Sequence, residues 1–252
     1  MKIIGYSERG AMNALFYGIA LDQENNGIKA MKKFLELANF KDVDDYSDFE
    51  LYPEFSLSDF GDPDLMIKAK YKHKDSVLFF IEAKVSANQS YDLEKQKENH
   101  ECYLKDNTTH SNGHTSNLFF QFKLKNYFFQ LKDFFSDESK LIIAQEQIDK
   151  TMDPAIVNTG DRHRKIGENG VVNWIVNDVI KDCVSSNYIA IIPEKELDII
   201  DCGFQIHCVS WKEIFEDTIL KKYVNETIIN NEQNGISQIL NNAPKSRRTR
   251  KK

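Results

Sequence analysis

Apolar positions follow two rhythms along the chain, and each change of rhythm marks an element. In NGIKAMKKFLELANF, Ile28, Met31, Phe34, Leu35 and Ala38 recur at helical spacing. A helix also suits ERGAMNALFYGIALDQ, with Ser7 as its N-cap. From Leu65 the rhythm shortens to alternation. Leu65, Ile67, Ala69 and Tyr71 share one face, and Asp64, Lys68, Lys70 and Lys72 share the other. The next run, VLFFIEAKV, is apolar on both faces until Glu82, as a central strand is. The polar HKDS between these runs predicts a hairpin.

Around this hairpin the pattern is coarser. The acidic stretch DVDDYSDFELYPEFSLSDFGDP is broken by Pro53, Gly61 and Pro63 and reads as a connection with at most a short strand. A polar helix is expected over about Tyr91 to Leu104, a polar loop over Lys105 to Asn117, and a Phe-heavy helix over Leu118 to Phe135. In GVVNWIVNDVIKDC, Val172, Ile175, Val176, Val179, Ile180 and Cys183 form one helical stripe. NYIAIIP and FQIHCVSW read as strands, and KEIFEDTILKKYV as a closing helix.

Composition changes this picture in few places. With 252 residues, 41% hydrophobic and 29% charged, the chain can bury the core of one large globular domain. The opening MKIIGYSERG turns charged early and no run approaches a membrane span, so the expectation is a cytoplasmic protein that engages no membrane. Cys102, Cys183, Cys202 and Cys208 include no CxxC pair and read as reduced packing residues. The net charge of −6 is uneven, because the tail KSRRTRKK holds six of the 33 basic residues and no acid. Without it 27 basic residues face 39 acidic ones, so any face that attracts a polyanion must be local.

The chemistry sits on the hairpin. Glu82 and Lys84 are two apart on a strand and point to one face. Counted from the turn, Asp64 and Glu82 fall within about two or three residues of the same level, roughly 10 Å along a strand. Twist and register can bring all three side chains together at the end away from the turn. Two converging carboxylates repel and raise each other's pKa unless a cation joins them. Mg²⁺ suits such a pair, since it takes one or two carboxylates and keeps waters for phosphate oxygens. A lysine beside it can orient water or stabilise a charged transition state. The set suits phosphodiester hydrolysis, with its side chains in an open, hydrated cleft. The plainer reading is a surface ion pair between Glu82 and Lys84 where the strand meets solvent.

Pro63-Asp64 followed one strand later by Glu82-Ala83-Lys84 resembles the PD-(D/E)XK nuclease superfamily, the restriction-endonuclease-like fold. The order of elements is similar too: a leading helix with Glu8, the Asp64 strand, the Glu82/Lys84 strand, then a helix. The other triplet, Glu138-Ser139-Lys140, lies in polar SDESK with no strand before it. The resemblance implies an α/β fold whose restriction-endonuclease-like core is a central mixed β-sheet flanked by helices. The core would cover about 5–105 and 187–224, with a largely helical insertion over about 105–185. One nuclease-like domain would span 1–240, before a disordered basic tail over 241–252. By resemblance, Asp64, Glu82, the Ala83 carbonyl and Glu8 would hold Mg²⁺, or Mn²⁺ in its place. Lys84 would be the catalytic lysine. Gln96, with Gln89 second, would be the glutamine often found on the following helix. The RecB-like QxxxY pattern is not met, because His100 stands where its tyrosine would be.

The implied activity is a metal-dependent deoxyribonuclease, an endonuclease in the first place, such as a type II restriction enzyme or a related defence or repair nuclease. The alternative is a nucleic-acid-binding protein that keeps the fold without cutting. Cutting both strands of a palindrome would favour a twofold homodimer. His110 and His114, four apart with Gly113 between them, read as a solvated loop rather than a metal pair. Arg162, Arg164 and Lys165 form the densest basic spot outside the tail and are the candidate DNA contact. Replacing Arg162 and Arg164 with alanine should weaken DNA binding for every sequence and flatten its salt dependence by about one unit of slope per lost contact. Binding measured across a salt series checks this, and an unchanged slope would exclude the loop from the interface.

Overall fold

The computed structural model describes residues 8–22, 26–57, 60–72, 75–85, 92–106, 117–134 and 170–224, with the backbone alone for Glu8 and 100–106. Two helices, α1 (Glu8–Leu21) and α2 (Asn26–Leu37), lead into an antiparallel meander. Its strands are β1 (Tyr46–Pro53), β2 (Leu65–Tyr71) and β3 (Ser76–Ala83). Helices α3 (Leu93–Asp106), α4 (Leu118–Leu131) and α5 (Gly170–Trp174) follow. The chain then adds β4 (Cys183–Ile192), β5 (Ile199–Asp201), β6 (Gln205–Ser210) and α6 (Trp211–Glu216). The six strands form one mixed sheet in the order β1-β2-β3-β4-β6-β5, with β3, β4 and β6 parallel.

The two rhythms of the sequence become two cores, one on each face of the sheet. Leu65, Ile67, Ala69, Phe79 and Ile81 pack with Leu15 and Phe16 of α1, Phe34 and Leu35 of α2, and Trp211. Met66, Leu78, Phe80 and Tyr188 pack on the opposite side against Phe122 and Phe128 of α4, with Ile175 and Val176. β3 is buried at all eight positions, which explains why its sequence shows no alternation. Among the described residues no helix is long and apolar enough to cross a membrane. Cys183 and Cys208 are buried free thiols in the packing, as expected.

Three readings of the pattern need correction. The acidic connection contains a full eight-residue strand, β1, at the sheet edge. Phe49 and Leu51 face the core, while Asp48 and Glu50 pair with Lys70 of β2, so the acids that disguised the strand help to hold it. The stripe from Val172 is not one α-helix. After Trp174 the backbone widens over Ile175–Val179, where the Ile180 N–H donates to the Ile175 carbonyl. Cys183 therefore opens β4 instead of extending the stripe. The closing helix stops at Glu216, because Asp217 turns extended and its Oδ1 accepts from the N–H groups of Ile219 and Leu220, starting a new turn.

The end of β3 is clamped from two sides. The Lys84 N–H donates to the Ile191 carbonyl of β4 at 2.7 Å, and the indole N–H of Trp211 donates to the Lys84 carbonyl at 3.1 Å. Trp211 is fully buried and opens α6 behind a Ser210–Glu213 capping box. Trp211→Phe keeps a ring but loses this bond and some packing. It should cost about 2 kcal/mol in urea unfolding, whereas a change within error would mean the clamp is not a stabilising contact.

Candidate active site

β2 begins directly after Pro63-Asp64, and its pairing with β3 sets Leu65 opposite Ile81. Carried one residue further, this register brings Asp64 level with Glu82. The gap expected from counting residues therefore closes, and the Ala83 N–H donates to Asp64 Oδ2 at 2.7 Å. Alternation puts Glu82 on the α4 side of the sheet with Leu78 and Phe80, and sends Lys84 to the same side. The backbone of Lys84 is the one clamped by Ile191 and Trp211.

The leading helix is tied to this end of the sheet. Arg9 Nε lies 2.6 Å from Glu54 Oε1, and the Glu54 N–H donates to the Asp64 carbonyl at 3.3 Å. Glu54 holds a left-handed φ of 55°, a conformation that non-glycine residues adopt only when their surroundings enforce it. α1 thus starts beside Asp64 with Glu8 at its first position. The side chain of Glu8 lies outside the described residues.

Glu82 departs from expectation. It is 1% exposed, so it does not stand in an open cleft. Buried this far, it is not part of a surface ion pair. The ammonium of Lys125, on α4 and equally buried, lies 2.7 Å from Glu82 Oε1. Lys125 pairs with Oε1 in charge, and among the described residues no donor meets Oε1 with hydrogen-bond geometry. Burial pushes the Glu82 carboxyl up to about 7, against the pull of Lys125; the charge of Asp64 raises it further and that of Lys84 lowers it. Gly61, at φ 75°, lies close to the same ammonium: a Cβ there would stand 3.3 Å from Lys125 Nζ.

Lys125 escaped the sequence reading, although a signal was present. Leu118, Phe122, Phe128 and Leu131 mark the buried stripe of α4, and Lys125 occupies a position on it where an apolar residue belongs. Gln121, one turn earlier, also has a buried side-chain oxygen that meets no hydrogen-bond donor among the described residues. Gln96 serves a different purpose from the one expected by resemblance. Its Oε1 accepts from the Leu118 N–H and its carbonyl from Asn117 Nδ2, which fastens α3 to the start of α4. Gln89, the His110 and His114 pair, the Glu138-Ser139-Lys140 triplet, Arg162, Arg164, Lys165 and the basic tail lie outside the described residues.

Among the described residues no three His, Cys, Asp or Glu side chains gather as a ready metal shell. The donor set is instead two carboxylates, Asp64 and Glu82, on paired strands, with the Ala83 backbone between them. A hard divalent cation fits this set, because two carboxylates and a backbone carbonyl are the oxygen donors it takes while keeping its waters. Glu82 Oε1, which no donor among the described residues meets with hydrogen-bond geometry, is an acceptor that suits such a cation in place of the Lys125 ammonium.

The raised pKa of Glu82 has a definite sign in the metal-free protein. The folded state binds the proton more tightly than the unfolded chain, so this group's stabilising contribution is complete below about 4.5 and is lost as pH rises through about 7. Wild type should therefore lose about 2–3 kcal/mol of stability relative to Glu82→Gln from pH 5 to pH 8 in urea titrations with EDTA. A pH-independent difference would show that Glu82 titrates normally. No family model, curated protein or solved structure matches this chain, so the chemistry of the site is inferred from its own residues and geometry.

Proposed function

We propose that the chain is a metal-dependent nuclease of the PD-(D/E)XK type, hydrolysing phosphodiester bonds in DNA. The observation that carries this reading is the register of β2 and β3, which sets Asp64 level with Glu82 and puts Lys84 two residues beyond on the same face. The order of elements supports it: a leading helix held at Asp64, the Asp64 strand, the Glu82/Lys84 strand at the centre of a mixed sheet, then helices and a parallel strand. The restriction-endonuclease-like core belongs to the same proposal.

Asp64 and Glu82 would hold Mg²⁺ or Mn²⁺, with the Ala83 carbonyl and Glu8 as further ligands. Such a cation, when bound, lowers the pKa of a coordinated water and neutralises charge on the phosphate. The chain's own residues do the positioning. The Ala83 N–H fixes the Asp64 carboxylate in place. The clamp on both backbone groups of Lys84 fixes the point from which its ammonium reaches out. That ammonium would orient the attacking water and stabilise the extra negative charge as the water oxygen bonds to phosphorus and the ester oxygen leaves. Arg162, Arg164, Lys165 and the basic tail would supply phosphate contacts that an otherwise acidic chain needs.

The buried Glu82–Lys125 pair also suits the second reading, a nucleic-acid-binding protein that does not cut, because it neutralises the site without a metal. Cleavage separates the two. With Mg²⁺ the protein should cut DNA, and EDTA should abolish the products. Asp64→Asn should weaken metal binding and remove cleavage. Lys84→Ala should keep metal and DNA binding but lose about 10²–10³-fold in single-turnover rate. Glu138→Gln should cleave normally. Near-normal cleavage by Asp64→Asn or Lys84→Ala would defeat the assignment.

A further inference from the structure

We propose that Lys125 is a built-in competitor for the cation position: its ammonium and a divalent cation are alternative partners of Glu82. The inference rests on the reading of Asp64 and Glu82 as cation ligands and adds a resident occupant that holds the site when no metal is bound.

Three observations converge on Lys125. Its ammonium lies 2.7 Å from Glu82 Oε1, the carboxylate oxygen that has charge pairing but no hydrogen bond. Second, the ammonium stands between Glu82 and the backbone at Gly61, three residues before Asp64. A side chain at Gly61 would crowd it, and the left-handed φ of 75° favours glycine there as well. The segment that delivers Asp64 is thus shaped around a positive charge. Third, Lys125 interrupts the buried stripe of α4, although a buried ion pair is often no more stabilising than apolar residues of the same size. Its long unbranched stem lets the ammonium withdraw without moving the helix.

The consequence is a threshold. A divalent cation reaches Glu82 only by displacing an ammonium already in contact, so metal affinity is lower than two carboxylates would give alone. When the cation leaves, Lys125 returns and the carboxylate is again neutralised.

Mn²⁺ titration of the full chain by calorimetry, for wild type, Lys125→Met and Asp64→Asn, tests the proposal together with crystals of wild type soaked in Mn²⁺. Lys125→Met should bind Mn²⁺ about tenfold more tightly or better, the scale of losing one charge at short range. The soaked wild-type crystal should show Mn²⁺ at Glu82 and Lys125 Nζ withdrawn from Oε1, and this readout stands even if Lys125→Met does not fold. Mn²⁺ at Glu82 with the Lys125 contact retained would overturn the competition, because the two cations would then coexist. Equal Mn²⁺ affinity in wild type and Lys125→Met, with Asp64→Asn weaker, would overturn the competition and leave the metal site standing. No Mn²⁺ at Asp64 and Glu82 in any form would sink both readings.

Discussion

A carboxylate buried at the end of a central strand must be neutralised, by a proton or by a counter-charge, and the helical layer over this end of the sheet brings Lys125 to meet that requirement at Glu82. β3 is covered on both faces by helices, so water cannot serve Glu82. A counter-charge has to come from the protein or from a bound ion. α4 supplies it through Lys125, which fixes where α4 lies on the sheet. Gln96 of α3 then holds the first turn of α4 at Leu118, and Asn126 of α4 accepts from the Tyr188 hydroxyl on β4. The helical layer on this face is thus docked by polar contacts in addition to its phenylalanines. A polar pair of this kind constrains geometry more than it adds stability.

The opposite face contributes rigidity. α1, α2 and α6 bury an apolar core against the sheet, and Trp211 reaches from that core to the Lys84 carbonyl. His207 stacks on Phe40 and its ring nitrogen lies 2.7 Å from the Ala38 carbonyl, so the end of α2 is tied to β6. Burial holds this imidazole below its ordinary pKa, which keeps it neutral in the packing. Each face of the sheet therefore has its own task. One carries polar groups toward Glu82, and the other immobilises the backbone from which Lys84 projects.

Much of the site was legible because its residues lie on a local hairpin, where alternation and a short turn determine who faces whom. Asp64, Glu82 and Lys84 emerge from that reasoning, and the observed register brings the carboxylates closer than residue counting suggests. What stayed hidden depends on distant parts of the chain. The burial of Glu82 is imposed by α4, whose place against β3 no local pattern encodes. β1 was obscured because its outward acids pair with Lys70 on a strand not yet paired when the sequence is read. The widened turn at Ile175–Val179 keeps helical apolar spacing while changing the hydrogen bonding beneath it. Gln96 was assigned by position on its helix, while its side chain is engaged by the N-terminus of another helix.

The clamp on Lys84 also bears on when the site comes into being. The carboxylates sit on a hairpin that can close as soon as it is synthesised. The groups that hold Lys84 come from Ile191 and from Trp211, the latter 127 residues further along. Contacts of such separation form late, after the entropy of a long closed loop has been overcome. A ribosome-bound chain that stops short of β4 therefore displays Asp64 and Glu82 without a fixed lysine. Synthesis of the chain through Trp211, rather than assembly of the hairpin, marks the point at which all three residues share one geometry.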